Sequence, residues 1–237
     1  MNKNSAGPSG NRASASYEPE RECGFCPRLV AFRQSLREAW PNWHNAPVPT
    51  FGETDAPLLV VGLAPGLRGA NRTGRPFTGD FAGDLLYQTL LELGLAEGVY
   101  EGEIDDGLRL ISGAITNAVR CVPPQNKPLP VELSNCRPFL AASIAARPGL
   151  RAIVALGRIA HDAILRACGK ALKDFPFAHG AEHVLRDLIA TSTTQARAIT
   201  LFDSYHCSRY NTNTGVLTPE MFRDVFSKVR ESLVPPG

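Results

Sequence analysis

The sequence has no long apolar segment. No run among its 237 residues approaches the roughly 18 apolar residues that a membrane-spanning helix requires. The first 16 residues are rich in Ser, Gly, Asn and Ala, and they lack the apolar core of a secretory signal. These two absences predict a cytoplasmic protein in which residues 1–16 form a disordered tail.

The sequence also lacks an excess of one charge, because 25 Lys and Arg stand against 23 Asp and Glu. The overall balance therefore does not indicate a nucleic-acid-binding protein, whose basic surface would have to be local. One segment qualifies, since Arg68, Arg72 and Arg75 occur with no acidic residue before Asp80. This basic stretch is either a phosphate-contacting surface or a solvated loop.

Four short apolar runs alternate with helical patterns along the chain, and three of them end in or near a glycine or polar turn. They cover residues 58–62, 110–119, 152–157 and 198–202. This alternation predicts an α/β protein, a three-layer α/β/α sandwich with a mainly parallel four-stranded central sheet. Further helices are predicted at residues 29–40 and after Thr218, where Pro219 suits the first helical position. Because the sequence shows neither an internal repeat nor a second region of different composition, residues 17–237 are expected to form one domain.

Ligands of such sheets bind beyond the carboxyl ends of the parallel strands. Four segments with unusual residues follow the four strands and should meet there. These segments are residues 63–80, 116–121, 157–160 and 205–215.

Six cysteines are unexpected in a cytoplasmic protein, where structural disulfides are rare. Cys23 and Cys26 form a C-x2-C pair, whose short loop lets both sulfurs face one centre. With Cys121 and Cys136 they supply four thiolates, which suit zinc or a [4Fe–4S] cluster, and the spacing does not separate the two. Free buried cysteines are the alternative, and Cys168 is expected to be one.

Two loops contain the residue types of a binding site. Residues 62–66 form a glycine-rich turn after a strand, where backbone N–H groups can approach a ligand, although no Walker A sequence follows. Phe77 lies in a polar loop and either stacks on a planar ligand or fills the core below. The loop after the fourth strand brings together His206, Cys207, Ser208, Arg209 and Tyr210.

In combination and order these segments resemble the family 5, or type b, uracil-DNA glycosylases. The resemblance extends over about residues 23–218 and includes Cys23, Cys26 and Cys136. The matching motifs are Gly62-Leu63-Ala64-Pro65-Gly66, Gly69-Ala70-Asn71-Arg72-Thr73-Gly74-Arg75-Pro76-Phe77-Thr78-Gly79-Asp80, Ile115-Thr116-Asn117-Ala118-Val119-Arg120-Cys121 and His206-Cys207-Ser208-Arg209-Tyr210-Asn211-Thr212.

The resemblance implies a [4Fe–4S] cluster on the four cysteines and a monofunctional enzyme that does not cut the DNA strand. Leu63 stands where the related family 4 enzymes have an acid, so the acid role is expected at Asp80. The chain departs from the family pattern at Gly66, where alanine is usual, and at Cys207, where proline is usual. Base preference and loop geometry are the properties that these departures affect.

The resemblance also implies the roles of the site residues. Phe77 would stack on a flipped base, and Asn117 would pair with its Watson–Crick edge. The turn of Gly62, Leu63, Ala64 and Gly66 would fix the base through backbone groups. His206 would stabilise the departing base, and Asp80 the sugar cation and the attacking water. If Asp80 only caps a helix, Asp84 or Asn117 would take that role.

The expected partner is DNA containing uracil, with hypoxanthine and xanthine as further candidate bases, bound by a monomer associated with the nucleoid. Phosphates would be held by Arg68, Arg72 and Arg75, and the gap in the duplex by Arg209 and Tyr210, with Ser208 as a further DNA contact. The cluster would fasten the N-terminal segment to the region between Cys121 and Cys136. Two other hypotheses remain: a non-catalytic DNA-damage binding module of the same fold, and a zinc-stabilised α/β nucleotide-binding protein.

Overall fold

A computed structural model of the chain describes residues 17–189 and 196–234. The predicted disordered tail at residues 1–16 lies outside the described residues. Within the described ranges, no helix is both long and apolar enough to cross a membrane.

The helices and strands alternate along most of the described chain. The strands are β1 (Phe51–Gly52), β2 (Leu58–Gly62), β3 (Ala96–Glu97), β4 (Arg109–Leu110), β5 (Gly113–Asn117), β6 (Ala152–Leu156), β7 (Glu182–Ile189) and β8 (Ala196–Ser204). The α-helices are α1 (Pro27–Ala39), α2 (Ala70–Thr73), α3 (Phe81–Glu92), α4 (Pro130–Ala145), α5 (Arg158–Ala167), α6 (Arg209–Asn213) and α7 (Pro219–Leu233).

The central sheet has six strands in the order β1-β5-β2-β6-β8-β7. Its four inner strands are parallel, and the two edge strands β1 and β7 run antiparallel to their neighbours. The α/β class and the four parallel strands are therefore confirmed, but the predicted strand number was wrong. The sequence pattern missed β1 because it has only two residues, and β7 because its charged residues hide the apolar signal.

The second predicted strand, residues 110–119, is also corrected. The chain leaves β4 at Leu110, turns through Ser112 with φ +53°, and re-enters the central sheet at Gly113. β4 pairs with β3 in a separate two-stranded ribbon. A left-handed residue interrupts the extended conformation, which the apolar pattern alone does not reveal.

The sheet is covered on both faces. Alternate residues of β2 show this, since Leu58 and Val60 belong to one core with α3 and α7, while Leu59 and Val61 belong to the other with α4 and α5. Burial on both faces explains why the inner strands are continuous apolar runs. The final helix begins as predicted, with the N–H of Met221 donating to the Thr218 hydroxyl at 3.2 Å.

Candidate active site

The loops at the carboxyl ends of the parallel strands enclose a cavity of about 300 Å³. Its position matches the expectation for an open α/β sheet. The lining residues are Leu63, Ala64, Pro65, Gly66, Phe77, Asp80, Ala82, Asn117, Asn126, His206 and Ser208. Loops more than a hundred residues apart in sequence thus meet, and the three side chains expected to surround a base share one cavity.

Gly62 lies beneath this cavity and determines how closely its neighbours pack. It pairs with Asn117 in the parallel register of β2 and β5. A Cβ atom at Gly62 would lie 2.5 Å from both the Asn117 Oδ1 and the Phe77 Cζ. Only glycine therefore lets these two side chains occupy their places. The segment at Gly157 adjoins from the other side, where a Cβ atom would contact that of His206 at 3.4 Å.

Asn117 presents an unpaired acceptor. It is the last residue of β5 and is buried, and its Oδ1 has no hydrogen-bond partner among the described residues. Leaving a buried acceptor unpaired costs about 1–3 kcal/mol. Because Asn117 itself lines the cavity, its carboxamide is suited to a ligand that brings a donor.

Phe77 is held in a strained backbone conformation. Its φ is +54°, a left-handed value that is unusual for a bulky residue, and its ring is buried. The Tyr100 hydroxyl donates to the Phe77 carbonyl at 3.1 Å, which helps to hold the turn. The ring lies 6.1 Å from the His206 ring at an interplanar angle of 32°. Phe77 therefore lines the cavity and also belongs to the core, and its stacking on a planar ligand stays a prediction.

His206 follows β8 by two residues, and its carbonyl accepts from the Asn211 side-chain amide at 2.8 Å. Burial lowers the pKa of His206 to about 4. The imidazole is therefore neutral at neutral pH and offers one N–H to a ligand.

Asp80 caps a helix, which was one of the two alternatives that the sequence left open, and it also lines the cavity. It is the N-cap of α3, where its Oδ1 accepts from the Gly83 N–H at 3.1 Å. Its Oδ2 points to the glycine loop, since Cβ atoms at Gly66 and Gly69 would lie 3.0 and 2.6 Å from it. Burial raises the pKa of Asp80 above its usual range. Asp84, the fallback acid, is exposed in the first turn of the same helix.

Asn126 lines the cavity, although it was not among the site residues predicted from the sequence. It lies in the loop between β5 and α4, where Gln125 and Asn126 have φ values of +58° and +57°. Asparagine tolerates the left-handed region better than most residues, so an asparagine after two prolines was a signal that the sequence contained. Both side chains are exposed, yet only Asn126 belongs to the cavity wall.

The three arginines of the basic stretch have different surroundings. Arg68 is exposed, and Arg72 donates to both carboxylate oxygens of Glu103 at 2.9 and 3.0 Å. The prediction that Arg75 holds DNA phosphates was wrong. Its side chain is 3% exposed and donates to both oxygens of the buried Asp106 at 2.8 and 2.6 Å. This pairing holds the pKa of Asp106 well below its usual range.

The loop after His206 forms one side of the cavity mouth. Ser208 lines the cavity and caps α6, its hydroxyl accepting from the Asn211 N–H at 3.4 Å. The Arg209 guanidinium lies 5.2 Å from the centroid of the Phe81 ring, and Tyr210 is 74% exposed. Both side chains are therefore accessible to a macromolecule that covers the mouth.

The four predicted cysteine ligands line a second, smaller and largely apolar cavity. Cys26 is the N-cap of α1, Cys121 follows β5 and Cys136 lies in α4. N–H groups point at three of the sulfurs: the Arg120 backbone at Cys136 (3.4 Å), the Asn135 amide at Cys26 (3.7 Å) and the Arg33 guanidinium at Cys121 (3.9 Å). Burial raises the pKa of Cys121 to about 12 and that of Cys136 to about 11.

The spacing of the sulfurs bears on the choice between zinc and a cluster. In the described part of the chain, the only group of three or more metal-binding side chains with ligand atoms within 4.8 Å of one another contains no cysteine. Thiolates around one zinc ion stand about 3.8 Å apart, because each Zn–S bond is about 2.3 Å. No three of the four cysteine sulfurs therefore lie as close together as the ligands of a single zinc ion would.

The two remaining cysteines lie elsewhere. Cys168 lies at the C-cap of α5 and packs against the core on the α4 and α5 side of the sheet, as expected of a structural cysteine. Cys207 is buried beside the candidate site, and its thiol donates to the Ala82 carbonyl in the first turn of α3 at 3.4 Å.

Comparison with known proteins gives a consistent result. The family model described as uracil DNA glycosylase superfamily matches residues 49–230. A type-5 uracil-DNA glycosylase of Thermus thermophilus is 44% identical over 217 residues, covering 88% of this chain and 92% of the relative. One of Pyrobaculum aerophilum is 39% identical, covering 87% of each chain. A type-4 enzyme of Sulfurisphaera tokodaii is 31% identical, covering 83% and 79%.

Proposed function

The chain belongs to the uracil-DNA glycosylase superfamily, and from this premise we propose that it is a monofunctional type-5 enzyme that excises uracil from DNA. The reaction is hydrolysis of the N-glycosidic bond between the base and its deoxyribose. The observation that carries the proposal is the unpaired acceptor of Asn117, which shares one cavity with Phe77, Asp80 and His206.

Base recognition is assigned to Asn117 and Phe77. Uracil presents an N3–H donor beside its O4 acceptor, and a carboxamide matches both. The Asn117 Oδ1 accepts from N3–H, and the Nδ2 donates to O4, while Phe77 stacks on the ring. Cytosine lacks the N3–H and carries a donor in place of O4. With the amide held in this orientation, cytosine leaves the Asn117 acceptor unpaired and binds less well than uracil.

His206 and Asp80 act on the two charges that develop as the bond breaks. Negative charge accumulates on the departing uracil, and the neutral imidazole of His206 stabilises it by donating to O2. Positive charge develops on the sugar, next to the carboxylate of Asp80. The cap bond to Gly83 holds one oxygen of this carboxylate, and the other remains to orient the attacking water.

The target nucleotide is proposed to leave the duplex, because its glycosidic bond is unreachable inside the base stack. Arg209 and Tyr210 occupy the gap from the cavity mouth, and Ser208 and Arg68 contact the DNA backbone. Arg72 adds a phosphate contact only if it exchanges Glu103 for DNA. Replacement of Arg68 by alanine should lower affinity for all sequences and reduce the salt dependence of binding by about one counterion.

Hypoxanthine and xanthine belong to the proposed substrate range. Each has a ring N–H beside a carbonyl, as uracil does, so Asn117 serves the same edge in all three bases. The cavity of about 300 Å³ lies within the usual range for small-molecule sites. A purine is therefore compatible with its size.

A labelled duplex containing one uracil tests the function. The purified protein should give no strand break by itself and a break at the uracil after alkali, because a monofunctional enzyme leaves an abasic site. A duplex with cytosine at that position is the control. Absence of any break after alkali for uracil, hypoxanthine and xanthine would remove the enzyme and favour the damage-binding module.

The four cysteines are proposed to hold a [4Fe–4S] cluster, supported by the cavity that they line together and by the N–H groups that face three of their sulfurs. A bound cluster supplies charge and cross-links rather than bond cleavage. Arg28 of α1 also connects that helix to α4. Its guanidinium donates to Glu132 at 2.8 and 2.7 Å and to the Lys127 carbonyl at 3.1 Å.

Iron analysis tests this centre directly. The brown protein should contain about four irons and four sulfides per chain. Cys136→Ser should lose the iron and unfold at lower temperature, whereas Cys168→Ser should keep both properties. A colourless protein with zinc on sulfur ligands would refute the cluster. A monomer located in the cytoplasm at the nucleoid completes the proposal, and light scattering of the purified protein tests the monomer.

A further inference from the structure

A separate group of side chains brings two imidazoles and a carboxylate together. Asp203 lies in β8, opposite Ala155 of β6, on the sheet face that packs against α5. His161 of α5 and His183 of the edge strand β7 lie against it. The ligand atoms of these three residues lie within 4.8 Å of one another. Neither the cavity nor the cysteine centre includes any of them.

The contacts in this group are short. The His161 Nδ1 lies 2.7 Å from the Asp203 Oδ1, and the His183 Nε2 lies 3.2 Å from the Asp203 Oδ2. Atoms that share a metal ion with bonds of about 2.0–2.2 Å stand roughly 3 Å apart. The observed separations are therefore close to those of a coordination shell.

The second nitrogen of His161 determines what its first nitrogen can do. The Nε2–H donates to the Phe175 carbonyl at 2.9 Å, which fixes the proton on that nitrogen. In the neutral ring, Nδ1 then has only a lone pair, and it faces a carboxylate oxygen. Two lone pairs at this distance repel each other, and either a proton on Nδ1 or a metal ion between the two atoms removes the repulsion. An imidazole that donates its distal N–H to a backbone carbonyl is the usual arrangement of a metal-ligating histidine.

The surroundings restrict water but leave one approach. His161 and Asp203 are buried, whereas the side chain of His183 is 13% exposed. Phe175 and Phe177 pack edge-on against the two imidazoles, with ring centroids 5.8 and 5.5 Å apart from them. An apolar shell of this kind increases the electrostatic cost of an uncompensated Asp203 carboxylate. The His183 side provides a path by which an ion enters.

We propose that His161, His183 and Asp203 form a structural site for a divalent transition-metal ion, with zinc as the ion to be tested. Two imidazoles and one carboxylate suit zinc, which needs no redox partner and accepts water as its fourth ligand. The ion takes the place of the proton between His161 and Asp203. It connects α5, the hairpin of β7 and β8 and the segment at Phe175, below the loop that carries His206.

Metal analysis of the full-length protein with its cysteine centre intact tests the site. After treatment with a chelator and dialysis against zinc, the protein should hold one zinc per chain. X-ray absorption at the zinc edge should show nitrogen and oxygen ligands at about 2.0–2.1 Å and no sulfur shell at about 2.3 Å. Zinc should also raise the midpoint of thermal unfolding by about 5 °C or more at a hundredfold excess over its dissociation constant.

Two matched variants distinguish metal from proton. His183→Gln keeps an N–H that can donate to Asp203 but removes a zinc ligand, so it should lose both the bound zinc and the thermal shift. His179→Gln replaces the histidine that stacks on Tyr205 at 5.0 Å, outside the group, and should behave as the wild type. The proposal fails if His183→Gln binds zinc as the wild type does, or if wild-type zinc has only sulfur ligands or none binds. None of these measurements depends on glycosylase activity.

Discussion

Asn117, Asp80 and His206 share a property that separates them from ordinary core residues. Asn117 has a buried acceptor without a partner in the described chain, and burial shifts the pKa of Asp80 upward and that of His206 downward. Each side chain is therefore less well solvated than it would be at the surface, without full compensation from the protein. Groups in this state concentrate at functional sites, because the ligand provides the missing interaction.

Replacing Asn117 by alanine tests whether this side chain serves activity rather than stability. We expect kcat/KM for uracil to fall about 10²-fold or more, because the base edge loses both its donor and its acceptor. The midpoint of thermal unfolding should stay the same or rise, since the variant removes an unpaired buried acceptor. Asn42→Ala, at an exposed asparagine, is the control and should change neither value. A large loss of stability with retained activity would assign Asn117 to the fold.

The pH profile tests the assignment of Asp80. Its carboxylate must be ionised to favour the sugar cation, so activity should fall as pH decreases through its raised pKa. His206 stays neutral down to about its own pKa of 4, so it does not produce this acid limb. Asp80→Asn should lower kcat strongly and flatten the limb, which pH–rate measurements over the stable range would reveal. An unchanged limb in the residual activity would exclude Asp80 as its source.

At the scale of elements, the loop between β5 and α4 links the two centres of the molecule. It contains Cys121, reaches the cavity at Asn126 and ends at α4, which carries Cys136. The capping box of that helix, in which Glu132 accepts from the Leu129 N–H at 2.7 Å, fixes where the loop ends. The segment between Cys121 and Cys136 therefore determines where one wall of the cavity lies.

Two adjacent glycine substitutions in this loop separate strain from function. Gln125 and Asn126 both have left-handed backbones, so each change to glycine should relieve strain and leave stability equal or slightly higher. Only Asn126 lines the cavity, so Asn126→Gly should lower kcat/KM on uracil DNA, and Gln125→Gly should preserve it. Steady-state kinetics and thermal unfolding of both variants provide the comparison. Equal kinetic effects of the two would mean that loop rigidity, not the Asn126 side chain, matters.

At the scale of the whole molecule, a buried ion pair fastens the cavity loop to a distant segment. The Arg75 guanidinium binds Asp106 and lies over the rings of Phe51, Tyr87 and Tyr100, at 5.2 to 5.8 Å from their centroids. Asp106 also accepts from the backbone N–H groups of Glu101 and Leu108. This network positions the chain around Phe77, so an arginine expected at the DNA surface instead supports the cavity.

Replacing Asp106 by alanine should destabilise the protein by about 3–5 kcal/mol, because it leaves the Arg75 charge buried without its partner. The salt dependence of DNA binding should not change, since Arg75 contacts no phosphate in this arrangement. Denaturant unfolding and binding titrations at several salt concentrations measure the two quantities. Glu103→Ala, which removes only the exposed partner of Arg72, is the control and should cost less than about 1 kcal/mol. A similar cost for both variants would contradict the buried pair.

The sequence by itself determined the α/β class, the four parallel strands and the meeting of their loops. These follow from local signals: continuous apolar runs, glycine turns and helix starts repeat in an order that parallel strands require. Because such strands share one carboxyl edge, Asn117 and His206 were expected to face one site although 89 residues separate their positions in the sequence. The location of the candidate cavity could therefore be predicted from the sequence.

Only the tertiary structure decided which polar residues pair. Arg75 meets Asp106 from 31 positions away, and Asp203 meets His161 and His183 from 42 and 20 positions away. Asn126 reaches the cavity through two left-handed residues, and the edge strand β7 is recognised only by its pairing with β8. A short stretch of sequence shows its secondary-structure propensity and its hydrophobic period. The partners of its side chains depend on how elements distant in sequence pack together, and a short stretch carries no information on that packing.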